Sequence, residues 1–209
     1  MTRIKGSKML RKFLMLSLFA MFASSAVAEN VKVKLETTMG DIHIELYADK
    51  APITVANFLR YIDGGYFDGG AFYRVVRMDN QQQNRIKIEV IQGGMSGDSN
   101  IGEFPPIKLE RTIKTGIKHE DGTISMARDT PDSASSEFFI CINDQPSLDY
   151  GGMRNPDGQG FAAFGKVTEG MDVVRAIQQV KTIPPQDPKE FTGGQKVMDP
   201  VIFKSFHRE

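Results

Sequence analysis

At 209 residues, with 25% charged and 40% hydrophobic residues, the chain is sized for one ordinary globular domain. Its 26 basic and 26 acidic residues cancel, so no basic surplus marks a nucleic-acid-binding surface. The composition also excludes a disordered, collagenous or polytopic membrane protein.

The charge is unevenly spread. Arg3, Lys5, Lys8, Arg11 and Lys12 form a basic start without an acid, Phe13 to Phe22 is apolar except for Ser17, and Ala26-Val27-Ala28 has the small-residue cleavage pattern. The apolar stretch falls short of the ~20 residues of a comfortable span. Residues 1–28 therefore read as a secretory signal peptide, and residues 29–209 as the mature domain, periplasmic and not stably inserted in the membrane. An uncleaved N-terminal anchor is the alternative. Cleavage removes five of the basic residues and no acid, leaving a mildly acidic domain with no footprint for nucleic acid. The sole cysteine, Cys141, has no partner for an internal disulfide, and within Phe138-Phe139-Ile140-Cys141-Ile142 it reads as a core residue.

In chain order, Val31, Val33 and Leu35 alternate, and Ile42, Ile44 and Leu46 resume the alternation after Met39-Gly40-Asp41, which predicts an antiparallel hairpin. Pro52 opens a helix whose Val55, Phe58, Leu59 and Ile62 share one face, and Gly64-Gly65 ends it. Two extended runs follow, Ala71–Met78 and Arg85–Gln92, joined by a polar tip at Asp79–Asn84 that includes Gln81-Gln82-Gln83. Residues 93–121, rich in Gly, Pro and charge, read as long loops with short strands, with Gly93-Gly94 as loop glycines. Thr123–Ala127, Glu137–Ile142 and Phe161–Lys166 are strand candidates. Met171, Val174 and Ile177 mark a second helix, and Val201-Ile202-Phe203 a last strand. Short strands with two isolated helices predict a mainly β fold, a closed or nearly closed antiparallel barrel with helices at its ends.

Five local strings carry the chemistry: Phe72-Tyr73-Arg74-Val75-Val76, Ile91-Gln92-Gly93-Gly94, Gly122-Thr123-Ile124-Ser125-Met126-Ala127-Arg128, Ser136-Glu137-Phe138-Phe139-Ile140 and Phe164-Gly165-Lys166-Val167. In this order, from about Val31 to Phe203, the chain resembles the cyclophilin-type peptidyl-prolyl cis–trans isomerases. The resemblance implies an eight-stranded antiparallel β-barrel capped by two α-helices, and isomerase activity on X–Pro bonds without cofactor or metal. It implies Arg74 as the catalytic residue. Of the substrate-binding residues, Gln92 orients that arginine, Phe139 floors the proline pocket and Leu148 walls it. Val90 takes the place of a methionine, and the backbone segment of Ala127 and Arg128 lies along the bound peptide.

Other positions depart from the family's pattern. Tyr73 replaces a histidine, and Glu137 replaces a glutamine and brings a negative charge within reach of Arg74. Ser147 stands near a tryptophan position, Phe161 near a histidine or tyrosine, and Glu89 near a pocket phenylalanine. Glu137 and Phe161 remain in the substrate-binding set. The expected partners are proline-containing, partly folded exported polypeptides, bound by a monomer. A proline-peptide binding module or holdase without catalysis is the alternative. The retention of Arg74, Gln92 and Phe139 together favours the enzyme. His43, His119 and His207 lack metal-ligand spacing.

Overall fold

The computed structural model describes residues 29–95, 103–187 and 192–209; the signal-peptide reading of residues 1–28 lies outside them. Eight strands, β1 (Val31–Thr37), β2 (Gly40–Leu46), β3 (Ala71–Val76), β4 (Val90–Gly94), β5 (Thr123–Met126), β6 (Phe138–Cys141), β7 (Ala162–Glu169) and β8 (Lys196–Arg208), pair antiparallel throughout. They close a barrel in the order β1-β2-β7-β5-β6-β4-β3-β8. The expected helices are α1 (Pro52–Asp63) and α3 (Met171–Gln178), and a one-turn α2 (Thr112–Thr115) adds a third that periodicity is too short to announce.

The inward set alternates along each strand and meets the helices at the barrel's ends. Val33, Leu35, Ile42, Ile44, Phe138, Ile140 and Phe203 are sealed in the core. Phe58 of α1 sits among Phe67, Phe138, Phe164 and Phe206, with ring centroids 5.0–5.5 Å away. The first turn of α1 has no side-chain cap of its own. The Glu110 carboxylate supplies one from a distant loop, accepting the backbone N–H groups of Ile53 and Thr54 at 3.2 and 2.8 Å.

Three expectations are corrected. Residues 80–89 are irregular, and the strand begins only at Val90. The reason is Gln81, which is wholly buried rather than at an exposed tip. Its amide donates to the carbonyls of Arg77 and Ile88 at 2.7 and 2.6 Å and accepts the Ile88 N–H at 3.1 Å, taking the place of a strand partner. Gly93 and Gly94 are strand residues of β4. A side chain at Gly93 would collide with the Ala71 carbonyl and Phe203, so only glycine fits there, and one at Gly94 would have to displace the Glu137 carboxylate. The last strand is long, and Asp199-Pro200 lies within it at an irregularity where β8 passes β3. Proline there masks the strand in the sequence.

Candidate active site

One face of the barrel wall, formed by β3, β4, β6 and β5, carries a second apolar cluster outside the core: Val76, Ile88, Val90, Phe139, Cys141 and Leu148. Alternation explains its separation. Along β6, Phe138 and Ile140 point inward, while Phe139 and Cys141 point to the outer face. Cys141 is buried as its sequence context predicts, but in this second cluster and not in the barrel core.

Strand β3 breaks the alternation. Phe72 faces Gly93 and Arg74 faces Gln92, so the pairing leaves Tyr73 as the extra residue of a β-bulge. Phe72 and Val75 turn into the core, and Tyr73 and Arg74 both turn to the outer face. The two lie beside a cleft of about 690 Å³, within the range of small-ligand sites.

All nine residues expected at the site line this cleft: Arg74, Val90, Gln92, Ala127, Arg128, Glu137, Phe139, Leu148 and Phe161. Phe139 forms the floor, with the Phe161 ring edge-on at 5.5 Å and the His119 ring stacked at 6.0 Å. His119 is itself fixed, with Asp149 at 2.8 Å from Nδ1 and the Ser125 hydroxyl at 3.0 Å from Nε2. All three are buried, so this Ser-His-Asp arrangement supports the floor and has no substrate access. Burial pulls the imidazole pKa below its usual value, against the pull of Asp149.

The Arg74 guanidinium is held in plane from both edges. Its Nη1 donates to Gln92 Oε1 at 2.7 Å, and its Nε and Nη2 donate to Gln195 Oε1 at 2.9 and 2.6 Å. Desolvation lowers the guanidinium pKa, yet an arginine stays charged in such a site. Gln92 Nε2 in turn donates to the Tyr73 hydroxyl at 2.8 Å, and that hydroxyl donates to Glu137 Oε2. Burial raises the Glu137 carboxyl to about 7, against the opposing Tyr73 hydrogen bond. Burial, then the Glu137 charge, pushes the Tyr73 phenol up.

Three placements differ from expectation. Glu137 bonds Tyr73 and not Arg74, so its carboxylate does not neutralise the guanidinium directly. Glu89 is not among the residues lining the cleft and accepts from Asn143 at 2.9 Å; Ile88, just before β4, lines the pocket beside Val90. Ser147 does not line the cleft: it sits in a 3-10 turn at Pro146–Leu148, where its carbonyl accepts the Arg154 N–H at 3.1 Å. Arg128, expected only for its backbone, lines the cleft, and its guanidinium is committed to Asp157 at 2.7 and 2.9 Å and to the Gly160 carbonyl at 2.8 and 2.5 Å.

Gln195 and Arg154 escaped the sequence reading. Gln195 lies 121 residues from Arg74 and belongs to no local pattern. Arg154 follows Gly152-Met153 in a loop, with Nη1 on the Ile86 carbonyl at 2.5 Å. Burial, and then repulsion from Arg74, lowers its pKa to about 10.

A guanidinium fixed above a small apolar pocket on a closed barrel suits a compact apolar ring beside a peptide carbonyl. The chain belongs to the cyclophilin-type peptidyl-prolyl cis–trans isomerases: the family described as "Cyclophilin type peptidyl-prolyl cis-trans isomerase/CLD" matches residues 32–193. It is 38% identical over 169 residues to peptidyl-prolyl cis-trans isomerase A of Dickeya dadantii, covering 80% of this chain and 81% of that protein. It is also 38% identical over 153 residues to peptidyl-prolyl cis-trans isomerase B of Escherichia coli, covering 72% of this chain and 85% of that one. A crystal structure of a cyclophilin type isomerase of Cryptosporidium parvum superposes with TM-score 0.63 at 20% identity, covering 87% of this chain and 98% of that one. The chain is thus a peptidyl-prolyl isomerase, and the non-catalytic alternative gives way.

Proposed function

We propose that X–Pro rotation takes place over Phe139 and is driven by Arg74, and that the substrates are exported polypeptides met in the periplasm. Rotation about the amide faces ~18–20 kcal/mol from resonance. No bond to carbon breaks, so the chemistry calls for neither nucleophile nor general base. The pocket of Ile88, Val90, Phe139, Leu148 and Phe161 takes the proline ring. In the twisted amide the prolyl nitrogen regains its lone pair, and Arg74 donates to it while steadying the neighbouring carbonyl. Only a bond that strengthens in the twisted state raises turnover.

The observation that carries this reading is the planar fixing of Arg74 by Gln92 and Gln195 beside the apolar floor. A charge-assisted bond of ~1.5–3 kcal/mol corresponds to roughly 10- to 150-fold in rate. Arg74→Ala is expected to lower kcat/KM for an X–Pro peptide at least about tenfold with an unchanged melting temperature. Wild-type turnover in a folded Arg74→Ala protein overturns the assignment.

Export rests on the basic start, the apolar run and Ala26-Val27-Ala28. Intact mass of the protein recovered from the periplasm is expected to begin at Glu29. A membrane-retained species that keeps residues 1–28 overturns it. A closed barrel leaves no unpaired strand edge for self-association, which supports a monomer; light scattering at micromolar concentration checks it.

A further inference from the structure

We infer that Gln195 is a positioning residue for the isomerase reaction, acting through Arg74. The inference rests on the reading of Arg74 as the catalytic residue. Gln195 is wholly buried, at the threshold of β8, and is not among the residues lining the cleft. Its side chain therefore reaches substrate only through a neighbour, and that neighbour is Arg74.

The geometry leaves one assignment of the amide. A guanidinium has no acceptor, so the atom facing it must be the carboxamide oxygen. That single oxygen takes both Nε–H and Nη2–H, at 2.9 and 2.6 Å. The amide nitrogen then points to the Asn80 carbonyl at 3.4 Å. The backbone is pinned on both sides: the Val75 N–H donates to the Gln195 carbonyl at 2.9 Å, and the Gln195 N–H donates to Thr192 at 3.0 Å. The residue after Arg74 on β3 thus holds the residue that holds Arg74.

Gln92 and Gln195 divide the work. Gln92 takes the Nη1 corner from the neighbouring strand β4. Gln195 takes the opposite edge, the only side from which the Nε–H is reached in the guanidinium plane. The Gln92 bond fixes only the Nη1 corner and does not by itself set the plane, because an arginine side chain has several rotatable bonds. With both, its orientation is set before substrate arrives, which is where positional catalysis gains its rate. Both holders are neutral. A carboxylate at either place would hold the same donors but offset the charge that the twisted amide needs.

The test measures kcat and KM separately for Gln195→Ala and Gln195→Glu, each in the native and the Arg74→Ala background. Gln195→Ala is expected to lower kcat about tenfold with KM within about twofold. Gln195→Glu, despite keeping an oxygen at the same place, is expected to lose kcat as well. In the Arg74→Ala background the Gln195 substitution is expected to change nothing further, because its effect passes through the missing side chain. An equal fractional loss in both backgrounds, or native kcat in folded Gln195→Ala, overturns the inference. Native activity in Arg74→Ala instead removes the catalytic reading itself, whatever Gln195 does. Should Gln195→Ala not fold, Gln195→Met keeps the volume without the acceptor. The Arg74 Nε–H in 15N-arginine-labelled protein is expected to exchange slowly in the native protein and faster in that variant. An unchanged exchange rate overturns the proposal.

Discussion

The Tyr73 hydroxyl stands between Glu137 and Gln92, donating to the Glu137 carboxylate and accepting from the Gln92 amide at 2.8 Å. Because Gln92 also accepts from Arg74 at 2.7 Å, every donor in the chain points the same way, from Arg74 through Gln92 and Tyr73 to Glu137. The order is forced: the arginine can only donate and the ionised carboxylate can only accept. The other Glu137 oxygen, Oε1, is buried without a hydrogen-bond partner among the described residues. This orphan oxygen makes ionisation costly and explains why burial raises the carboxyl to about 7.

That raised value has a definite sign in stability. An ordinary glutamate titrates near 4.5, and the folded one at about 7, so between them the folded state holds a proton that the unfolded state has released. The contribution is fully present below about pH 4.5 and is lost as pH rises through about 7. The difference amounts to roughly 2–3 kcal/mol once partial solvent exposure is allowed for. Glu137→Gln keeps an oxygen for Tyr73 and removes the titration. It is expected to melt within about 1 °C of the native protein at pH 5 and at least about 4 °C higher at pH 8. Its kcat/KM stays within about threefold, since no ion pair with Arg74 is released. An equal melting offset at both pH values counts against the assignment.

His119 works in the opposite direction. Its folded pKa is depressed below 6.5 by burial, although the Asp149 contact pulls the other way and Lys118 lies beside that carboxylate. Its contribution is fully present above about pH 6.5 and is lost as pH falls, because the buried imidazole must charge. In the Glu137→Gln background, where the opposing titration is gone, the urea midpoint is expected to fall from pH 7.5 to pH 5. His119→Gln is expected to flatten that dependence and to cost about 1–3 kcal/mol at pH 7.5. A midpoint that stays flat with His119 present goes against the buried neutral imidazole.

The barrel was legible because its strands are short and well patterned. The alternation of Val31-Val33-Leu35 and the helical spacing of Val55, Phe58, Leu59 and Ile62 each reappear as inward faces. The cleft was legible because its residues fall in local strings, and Phe138-Phe139 splits between core and pocket by simple alternation. The bulge at Tyr73 was not legible: strict alternation puts Arg74 on the face of Phe72, and only the pairing with Gly93 and Gln92 shows the extra residue. Glu89 was misplaced because the irregular segment 80–89 carries no period from which to count parity. Gln195 had no sequence signal at all, since its partner is set by how β8 returns beside β3.

Gln81 offers a direct check on that irregular segment. Its carboxamide makes three bonds of 2.6–3.1 Å to the backbone of Arg77 and Ile88 in a buried setting. Gln81→Ala leaves buried backbone groups unpaired, at a cost of about 2–4 kcal/mol. Ile88 loses its anchor at the pocket, so KM is expected to rise in whatever fraction remains folded. Gln81 Oε1 also accepts from Arg154 Nη1 at 3.3 Å, a bond that Gln81→Ala removes as well. A neutral Gln81→Ala contradicts the anchoring role.

The last prediction concerns the wall of the pocket. Arg128 is almost sealed, with a side chain 1% exposed, and it reaches two partners on one loop: the Asp157 carboxylate and the Gly160 carbonyl. Its guanidinium also lies 5.0 Å from the centre of the Phe161 ring. Phe161 follows Gly160 directly, so the clamp on the loop fixes the ring that closes the pocket over Phe139. Asp157 is the outer partner, 26% exposed, and its carboxyl is held below the usual range first by the Arg128 hydrogen bond. Asp157→Ala removes one arm of the clamp while Gly160 retains the other, so the fold survives with a stability loss of about 1–2 kcal/mol. The hydrogen bonds that orient Arg74 come from Gln92 and Gln195, outside this loop, so the donors at the amide keep their places. The expected outcome is a KM raised about three- to tenfold with kcat within about twofold, which marks a binding wall loosened equally for ground and twisted states. Arg128→Ala removes both arms and is expected to raise KM further. A drop in kcat at unchanged KM in Asp157→Ala would instead place the loop in the rotation step itself, and the wall assignment for Phe161 would fall.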